Sequence, residues 1–371
     1  MAYIRELSSI RGIAAVVVVF GHVLSVVDRH SLGHEGTDGG RAWVAPLFDF
    51  MSSTFNGPAA VELFFVLSGL VLSLSLARGD KDYVMWMNSF YIRRIFRIYP
   101  ALWLSFILAL ALLPFERDAC LTGVCTNWAA TNFQEDFTLK RIALSFMGLY
   151  VHLNGPTWSL RVELFYSLLL PAIFLMLRNK KTRLAGSLFV LALAVLPIPR
   201  LYSVHYALAF VLGSAIPLLP PGKRASPYGL LAAVSLAVLM YSRRAMISLH
   251  FDEKTFEIIE IFASFVIVYA FFYRKVHVRF LAGNGFFYVG EISYSIYLLH
   301  FPLLFALLYL LENSVGVPRI SESPYLYTMV LGAMTISLTI GLASLSFHFV
   351  ELPFQSLGRL VSERIRSVQK V

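Results

Sequence analysis

Four ionisable side chains stand inside stretches otherwise apolar enough for lipid: His22 in RGIAAVVVVFGH, Glu62 in VELFFVLSG, Glu163 in TWSLRVELFY and His300 in ISYSIYLLHFP. A charged group at the centre of a membrane helix costs about 2.5–3.5 kcal/mol on insertion scales, so its retention marks a functional position. An imidazole of ordinary pKa near 6.5 accepts a proton close to neutral pH, and a neighbouring carboxylate can set its tautomer. Histidine with glutamate is therefore equipment for general-base chemistry. Arg11 precedes His22 by eleven residues. Eleven helical steps bring the two side chains to nearly the same face, about 16 Å apart along the axis. Ser159, Glu163 and Tyr166 follow one another at i, i+4 and i+7, as do Ser293, Tyr297 and His300, so each set shares a helix face. Each residue also has a plainer use, since Ser and His bridge helices in lipid and either glutamate can neutralise Arg161. A purely structural role leaves the polar faces of four helices without a purpose.

Other chemistries lack their residues. No GxSxG elbow, HExxH pair or GxxxxGK[ST] loop occurs, which removes support for serine hydrolase, zincin and P-loop readings. Cys120 and Cys125 supply neither a four-ligand zinc site nor a CxxC redox pair, and no metal is expected. Arg93, Arg94 and Arg97 in SFYIRRIFRIYP form one basic cluster, with Arg93 and Arg97 four apart and Arg94 and Arg97 three apart. Their guanidinium forks suit the phosphates of a cosubstrate, or equally anchor the chain to anionic lipid.

These residues require helices that cross a membrane. The 371 residues are 58% hydrophobic and 14% charged, with mean hydropathy +0.70. Soluble domains carry about 25% charge, so an ordinary water-soluble enzyme and a disordered chain are both excluded. The expected fold is all-α: a polytopic transmembrane helical bundle of about ten spans, near 7–28, 58–77, 98–115, 158–178, 184–199, 203–219, 227–244, 257–274, 288–311 and 325–349. The fifth and sixth are short and divided near Pro197–Pro199. An amphipathic stretch at Lys140–Tyr150 is too polar to span and belongs at the surface. Arg11 and His22 inside the first run argue for a retained helix over a cleaved signal peptide.

Of the 31 Lys and Arg residues, this arrangement puts 20 on the side of the N-terminus and 10 on the other, with Arg161 in a span. That bias places both termini in the cytoplasm, and it removes nucleic acid as a reading of the +9 net charge, because no basic region stands free of the membrane. Residues 1–355 read as one membrane domain and 356–371 as a basic cytoplasmic tail. The 116–157 loop falls on the oxidising side, where Cys120 and Cys125 form a disulfide or remain two thiols.

The motifs in this order resemble those of the membrane acyltransferase family 3, which includes bacterial O-antigen and exopolysaccharide O-acetyltransferases, over residues 5–354. Arg11 to His22 is similar to the family's arginine followed after ten residues by its catalytic histidine. VELFFVLSG resembles the second-helix motif with Glu62 where Asp is common, and RRIFRIYP the cytoplasmic arginine motif. Trp158, Ser159 and Glu163 match the next, although Leu164 stands where a second acid is frequent. ISYSIYLLHFP and VELPF, with Glu351 and Pro353, resemble the last two.

The resemblance implies transfer of an acyl group, commonly acetyl, from cytoplasmic acyl-CoA to a hydroxyl of a glycan or lipid-linked glycan, in a bacterial cytoplasmic membrane. Expected roles follow. Arg93, Arg94 and Arg97 receive the CoA phosphates, and His22 acts as base or as acyl carrier, oriented by Glu163 or Glu62. Arg11 or Ser159 stabilises the oxyanion, with Trp158, Tyr297 and His300 in support. Some members append an outer esterase-like domain. None follows the last span here, so the chain is expected to finish the transfer itself or to pass the acyl group to a separate extracytoplasmic partner. The rival expectation is a proton-coupled transporter or flippase of a glycan or lipid, using the same intramembrane Glu and His.

Overall fold

The computed structural model describes residues 4–29, 44–77, 83–132, 136–195, 205–222, 227–249 and 252–368. Arg41, Arg78, Lys81, Arg200, Lys223, Arg224 and Lys370, counted above for orientation, lie outside them, as does the Pro197–Pro199 break. Among the described residues the chain is a helical bundle whose only extended pairing is an isolated antiparallel bridge between Val27 and Cys125.

In chain order the helices are α1 (Arg5–Val26), α2 (Val44–Thr54), α3 (Gly57–Ala77), α4 (Tyr83–Ala119), α5 (Asn127–Thr131), α6 (Leu139–Phe146), α7 (Thr157–Arg178) and α8 (Lys180–Val195). They continue with α9 (Tyr206–Ala215), α10 (Tyr228–Leu249), α11 (Glu253–Phe272), α12 (Asn284–Glu291), α13 (Ser293–Val315), α14 (Val317–Glu322), α15 (Pro324–Ser346) and α16 (Leu352–Val368). Each of the ten expected segments corresponds to a helix. Seven helical stretches among the described residues are long and apolar enough to cross a membrane, with Tyr206–Leu218 a shorter apolar helix.

Three boundaries differ from the sequence reading. The third segment starts 15 residues early, at Tyr83, so the arginine cluster is the first half of a 37-residue helix and not a loop before it. At 1.5 Å per residue α4 is about 55 Å long, well beyond the roughly 30 Å hydrocarbon core. The ninth segment divides at Ile292 into α12 and α13. The expected tail from 356 is inside α16, which follows α15 through a π-helical turn at Phe347–Glu351 and packs on α4. There Gly358 meets Phe96 so closely that an added Cβ would lie 2.6 Å from the Phe96 Cβ.

Small residues set the tightest crossings. A Cβ on Gly12 would lie 2.6 Å from the Gly290 backbone nitrogen, and one on Gly213 would lie 2.1 Å from the Val66 carbonyl oxygen. In lipid, where hydrophobicity no longer drives helix against helix, such backbone approach supplies the dispersion contact that holds helices together. The first crossing locks α1 to α12, and the second locks α3 to α9. Helix α13 is the hub, buried along most of its length between α1, α4 and α15.

Beyond α4, Cys120 and Cys125 are disulfide-bonded. The small loop they close is tied to the end of α1, where the Asp28 amide donates to the Val124 carbonyl (2.9 Å) and the Thr126 amide to the Val26 carbonyl (2.9 Å). Thr126 then caps α5, its hydroxyl oxygen accepting from the Ala129 amide (3.3 Å) and donating to the Ser25 carbonyl (2.7 Å).

Candidate active site

The two intramembrane histidines meet. His22 Nδ1 lies 2.8 Å from His300 Nε2, and the rings are nearly parallel, with centroids 5.1 Å apart. His300 is fully buried, and its Nδ1 lies 3.2 Å from the Ile296 carbonyl oxygen, which only accepts. His300 Nδ1 therefore carries a proton. With both rings neutral, His300 Nε2 is an acceptor, His22 Nδ1 donates to it, and the lone pair of His22 is left on Nε2. The i−4 carbonyl of one helix thus fixes the tautomer of a histidine on another. Pro302, two residues past His300, sits within the same helix.

His22 lines a cavity of about 440 Å³ bounded by the ends of α1, α2, α3, α5, α7, α10 and α13. Trp158, Tyr297, Asn56 and Arg243 share that lining, as does Trp128 from the disulfide-tied α5, whose ring is parallel to His22 at 5.5 Å. Among the expected residues, Trp158 and Tyr297 are thus brought to His22's cavity. Trp128 was not among them, because it lies in the loop region between spans, where no helical periodicity assigns it to any face.

A file of polar groups leads from this cavity through the bundle. Tyr297 and His300 have ring centroids 5.9 Å apart on α13. The Tyr297 and Ser159 hydroxyl oxygens lie 2.6 Å apart, each within reach of the Pro156 carbonyl at 2.9 and 3.1 Å. One turn further along α7, Glu163 accepts from Arg94 at 2.6 Å and from the Ser68 hydroxyl at 3.0 Å. Arg94 is 8% exposed.

The expected orienting carboxylates are elsewhere. Glu163 pairs with Arg94 and does not reach His22; the orienting partner is His300. The reason is the α4 helix itself: at about 100° per residue, Arg94 faces α7, Arg97 lies about 60° round and close enough to act on both Arg94 and Glu163, and Arg93 lies about 100° away, both flanking arginines being half-buried. Arg94 is accordingly a buried ion-pair partner and not an open phosphate ligand. Arg161, the other proposed partner of the glutamates, is exposed. Arg11 is also remote from His22, at the other end of α1, where its Nε donates to the Ser293 hydroxyl (3.0 Å) and its terminal nitrogen to the Gly290 carbonyl (2.8 Å). It holds α1 to the break between α12 and α13.

Glu62 occupies a separate acidic group. It is 1% exposed, and Glu260, Glu257 and Arg243 are the charged groups acting on it, Glu260 at hydrogen-bonding range. Glu260 accepts from Asn56 at 2.7 Å, and Glu257 pairs with His205 at 2.8 Å. Glu351, on the π-helical turn, accepts from the Ser295 hydroxyl at 2.5 Å. No group of three His, Cys, Asp or Glu side chains is placed to hold a metal among the described residues.

The fold is a multi-pass helical bundle in which a paired histidine lines a cavity, and its class is given by the family it belongs to. The sequence profile described as "Acyltransferase domain", acyltransferase family 3, matches residues 4–344, and the chain belongs to that family. It is similar to a provisionally named O-acetyltransferase of Staphylococcus aureus strain COL, 27% identical over 96% of this chain and 58% of the relative. The O-acetyltransferase OatA of Staphylococcus aureus strain NCTC 8325 is 24% identical over 82% of this chain and 53% of its own length. The chain spans about half the length of these relatives. No solved structure matches it.

Proposed function

We propose that the protein is an integral-membrane O-acyltransferase that moves an acyl group, acetyl foremost, from cytoplasmic acyl-CoA to a hydroxyl of a cell-surface or lipid-linked carbohydrate. It works in the cytoplasmic membrane of a bacterium with both termini in the cytoplasm. The observation that carries this reading is the His22–His300 pair, with His22 among the residues lining the cavity. The family and the names of the two relatives support acyl transfer to oxygen.

The donor enters from the arginine end of α4, where the half-buried Arg93 and Arg97 meet its phosphates, and the thioester extends along the Glu163–Ser159–Tyr297 file. The acceptor hydroxyl lies in the cavity on the disulfide side. His22 Nε2 takes its proton as the oxygen attacks the thioester carbonyl. The carbon–sulfur bond then breaks, and the leaving thiolate recovers that proton from the imidazolium. Turning from the Pro156 carbonyl, the Ser159 or Tyr297 hydroxyl donates toward the developing oxyanion. The same lone pair can instead attack the thioester and carry the acyl group as a transient imidazole adduct, and an acylated peptide containing His22 after donor-only incubation distinguishes this route. The direct test of the reading is acyl transfer by stably inserted His22→Ala protein: loss supports it, and the parental rate overturns it.

One observation favours the transporter reading, namely the buried Glu62, Glu257 and Glu260 group. It is tested by whether glycan or proton movement occurs without consumption of acyl-CoA.

A further inference from the structure

Among the described residues from Phe347 to Leu357, only Glu351 is buried, while its apolar neighbours Phe349, Leu352 and Phe354 are exposed. A carboxylate turned inward from a run that puts its apolar side chains outward marks a position in use. The π-helical turn Phe347–Glu351 sets this orientation, because its extra residue rotates the chain beyond it by about 100° relative to an unbroken helix. Single π turns of this kind occur frequently at functional sites. Two hydroxyls hold the carboxylate in place: Ser295 donates to Glu351 Oε1 (2.5 Å), and the Ser346 oxygen lies 2.7 Å from that of Ser295.

The cations acting on Glu351 are Arg97 and Arg11, and those acting on Glu163 are Arg94 and Arg97. Arg97 is therefore within electrostatic range of two carboxylates, one on α7 and one on the π turn. Neither is bonded to it. Glu163 accepts from Arg94 and Ser68, Glu351 accepts from Ser295, and among the described residues Arg97 makes no hydrogen bond or ion pair. Its half-buried guanidinium keeps its donors for something else. A carboxylate held off by its own hydroxyl partner lowers the positive potential around an arginine without occupying those donors. At 4% exposure, Glu351 exerts that effect with little screening by water or salt.

Resting on the acyltransferase reading, we propose that Glu351 is the counter-charge of the donor-phosphate site, weakening the hold of Arg97 on CoA so that the spent thiol leaves. Acyl-CoA and free CoA carry the same phosphates, so each contact from Arg97 to a phosphate binds product as well as substrate. Binding of this uniform kind lowers KM without speeding the chemical step, and product release limits turnover in many enzymes. A fixed negative charge beside the arginine lowers affinity for both molecules and leaves the acyl and acceptor ends of the site untouched. Glutamine in its place keeps an oxygen for the Ser295 hydroxyl and removes only the charge. The proposal therefore has a sign. Loss of the carboxylate tightens the binding of donor and product, whereas loss of a purely structural group only loosens it.

The test uses the full chain in detergent, with CoA and inorganic pyrophosphate as titrants and acyl transfer followed in the same preparations. Glu351→Gln is expected to bind CoA about threefold or more tightly than the parent, with donor KM falling and kcat not rising. Arg97→Gln should bind CoA about threefold or more weakly, and the double variant should return close to the parent. Comparing the double variant with Arg97→Gln reads the same sign a second time, in a chain whose net charge equals that of the parent. Unchanged or weaker CoA binding in Glu351→Gln, or in the double variant relative to Arg97→Gln, overturns the proposal while acyl transfer by the parent still upholds the acyltransferase reading. Binding of neither titrant by parent or variants also overturns it. Pyrophosphate held more tightly by Glu351→Gln, when the parent transfers no acyl group, contradicts the acyltransferase reading and leaves the counter-charge standing.

Discussion

At His22 the decisive feature is which nitrogen is free. A carbonyl that cannot donate, that of Ile296, forces the proton onto His300 Nδ1, and the 2.8 Å contact passes the constraint to His22. General-base catalysis by a positioned side chain contributes about 10²–10⁴-fold, so His22→Ala should lose two to four orders of magnitude in transfer rate, read by acyl incorporation into the acceptor. His300 acts through His22. Replacing it with Gln keeps an amide oxygen able to accept the Nδ1 proton, whereas Leu does not. His300→Gln is expected to retain more kcat than His300→Leu, with donor KM the same in both, and equal kcat in the two variants would refute the positioning role. Both histidines were legible in the sequence as polar groups in apolar helices. Their direct contact was not, because periodicity reports the face a residue occupies on its own helix and not which neighbour that face meets.

At the scale of helices, the α4–α7 contact joins a largely buried Arg94–Glu163 pair to the Tyr91–Leu168 hydrogen bond and the Trp86–Phe174 ring contact. Removing one partner of such a pair strands the other and costs about 3–5 kcal/mol, whereas replacing both by apolar residues of similar volume is often neutral. Arg94→Ala should therefore lower thermal stability in detergent markedly, and Arg94→Met combined with Glu163→Leu should restore most of it while impairing activity. A donor-affinity effect larger than any loss of stability is expected at Arg93, about 100° round α4 from Arg94 and half-buried. The α3–α9 crossing gives a second check: Gly213→Val places atoms where the Val66 carbonyl already lies, and it should abolish the folded, monodisperse fraction. The sequence separated these roles poorly. Three arginines within five residues look alike in a motif, and only the direction of each around the helix divides an ion-pair partner from candidate ligands. The length of α4 was hidden for a similar reason, since a helix leaving the membrane turns polar and loses the hydropathy signal that delimits a span.

For the whole molecule, the cavity and the disulfide share one end of the bundle and the α4 arginines occupy the other, so the proposed reaction has a direction across the membrane. Charge asymmetry in the sequence already implied that direction, and the disulfide-bonded loop agrees with an oxidising outer side. After reduction, a membrane-impermeant maleimide should label Cys120 and Cys125 in intact cells; labelling only after lysis would invert the topology. The most direct test of the central claim is sided transfer in liposomes holding inserted protein of one orientation. Isotope-labelled acetyl-CoA is supplied only on the side of the α4 arginines and a glycan acceptor only on the side of the disulfide loop. Mass spectrometry of the acceptor should show the labelled acetyl group with the parent and none with His22→Ala. No labelled acceptor from the parent, or equal labelling from His22→Ala, would contradict the account.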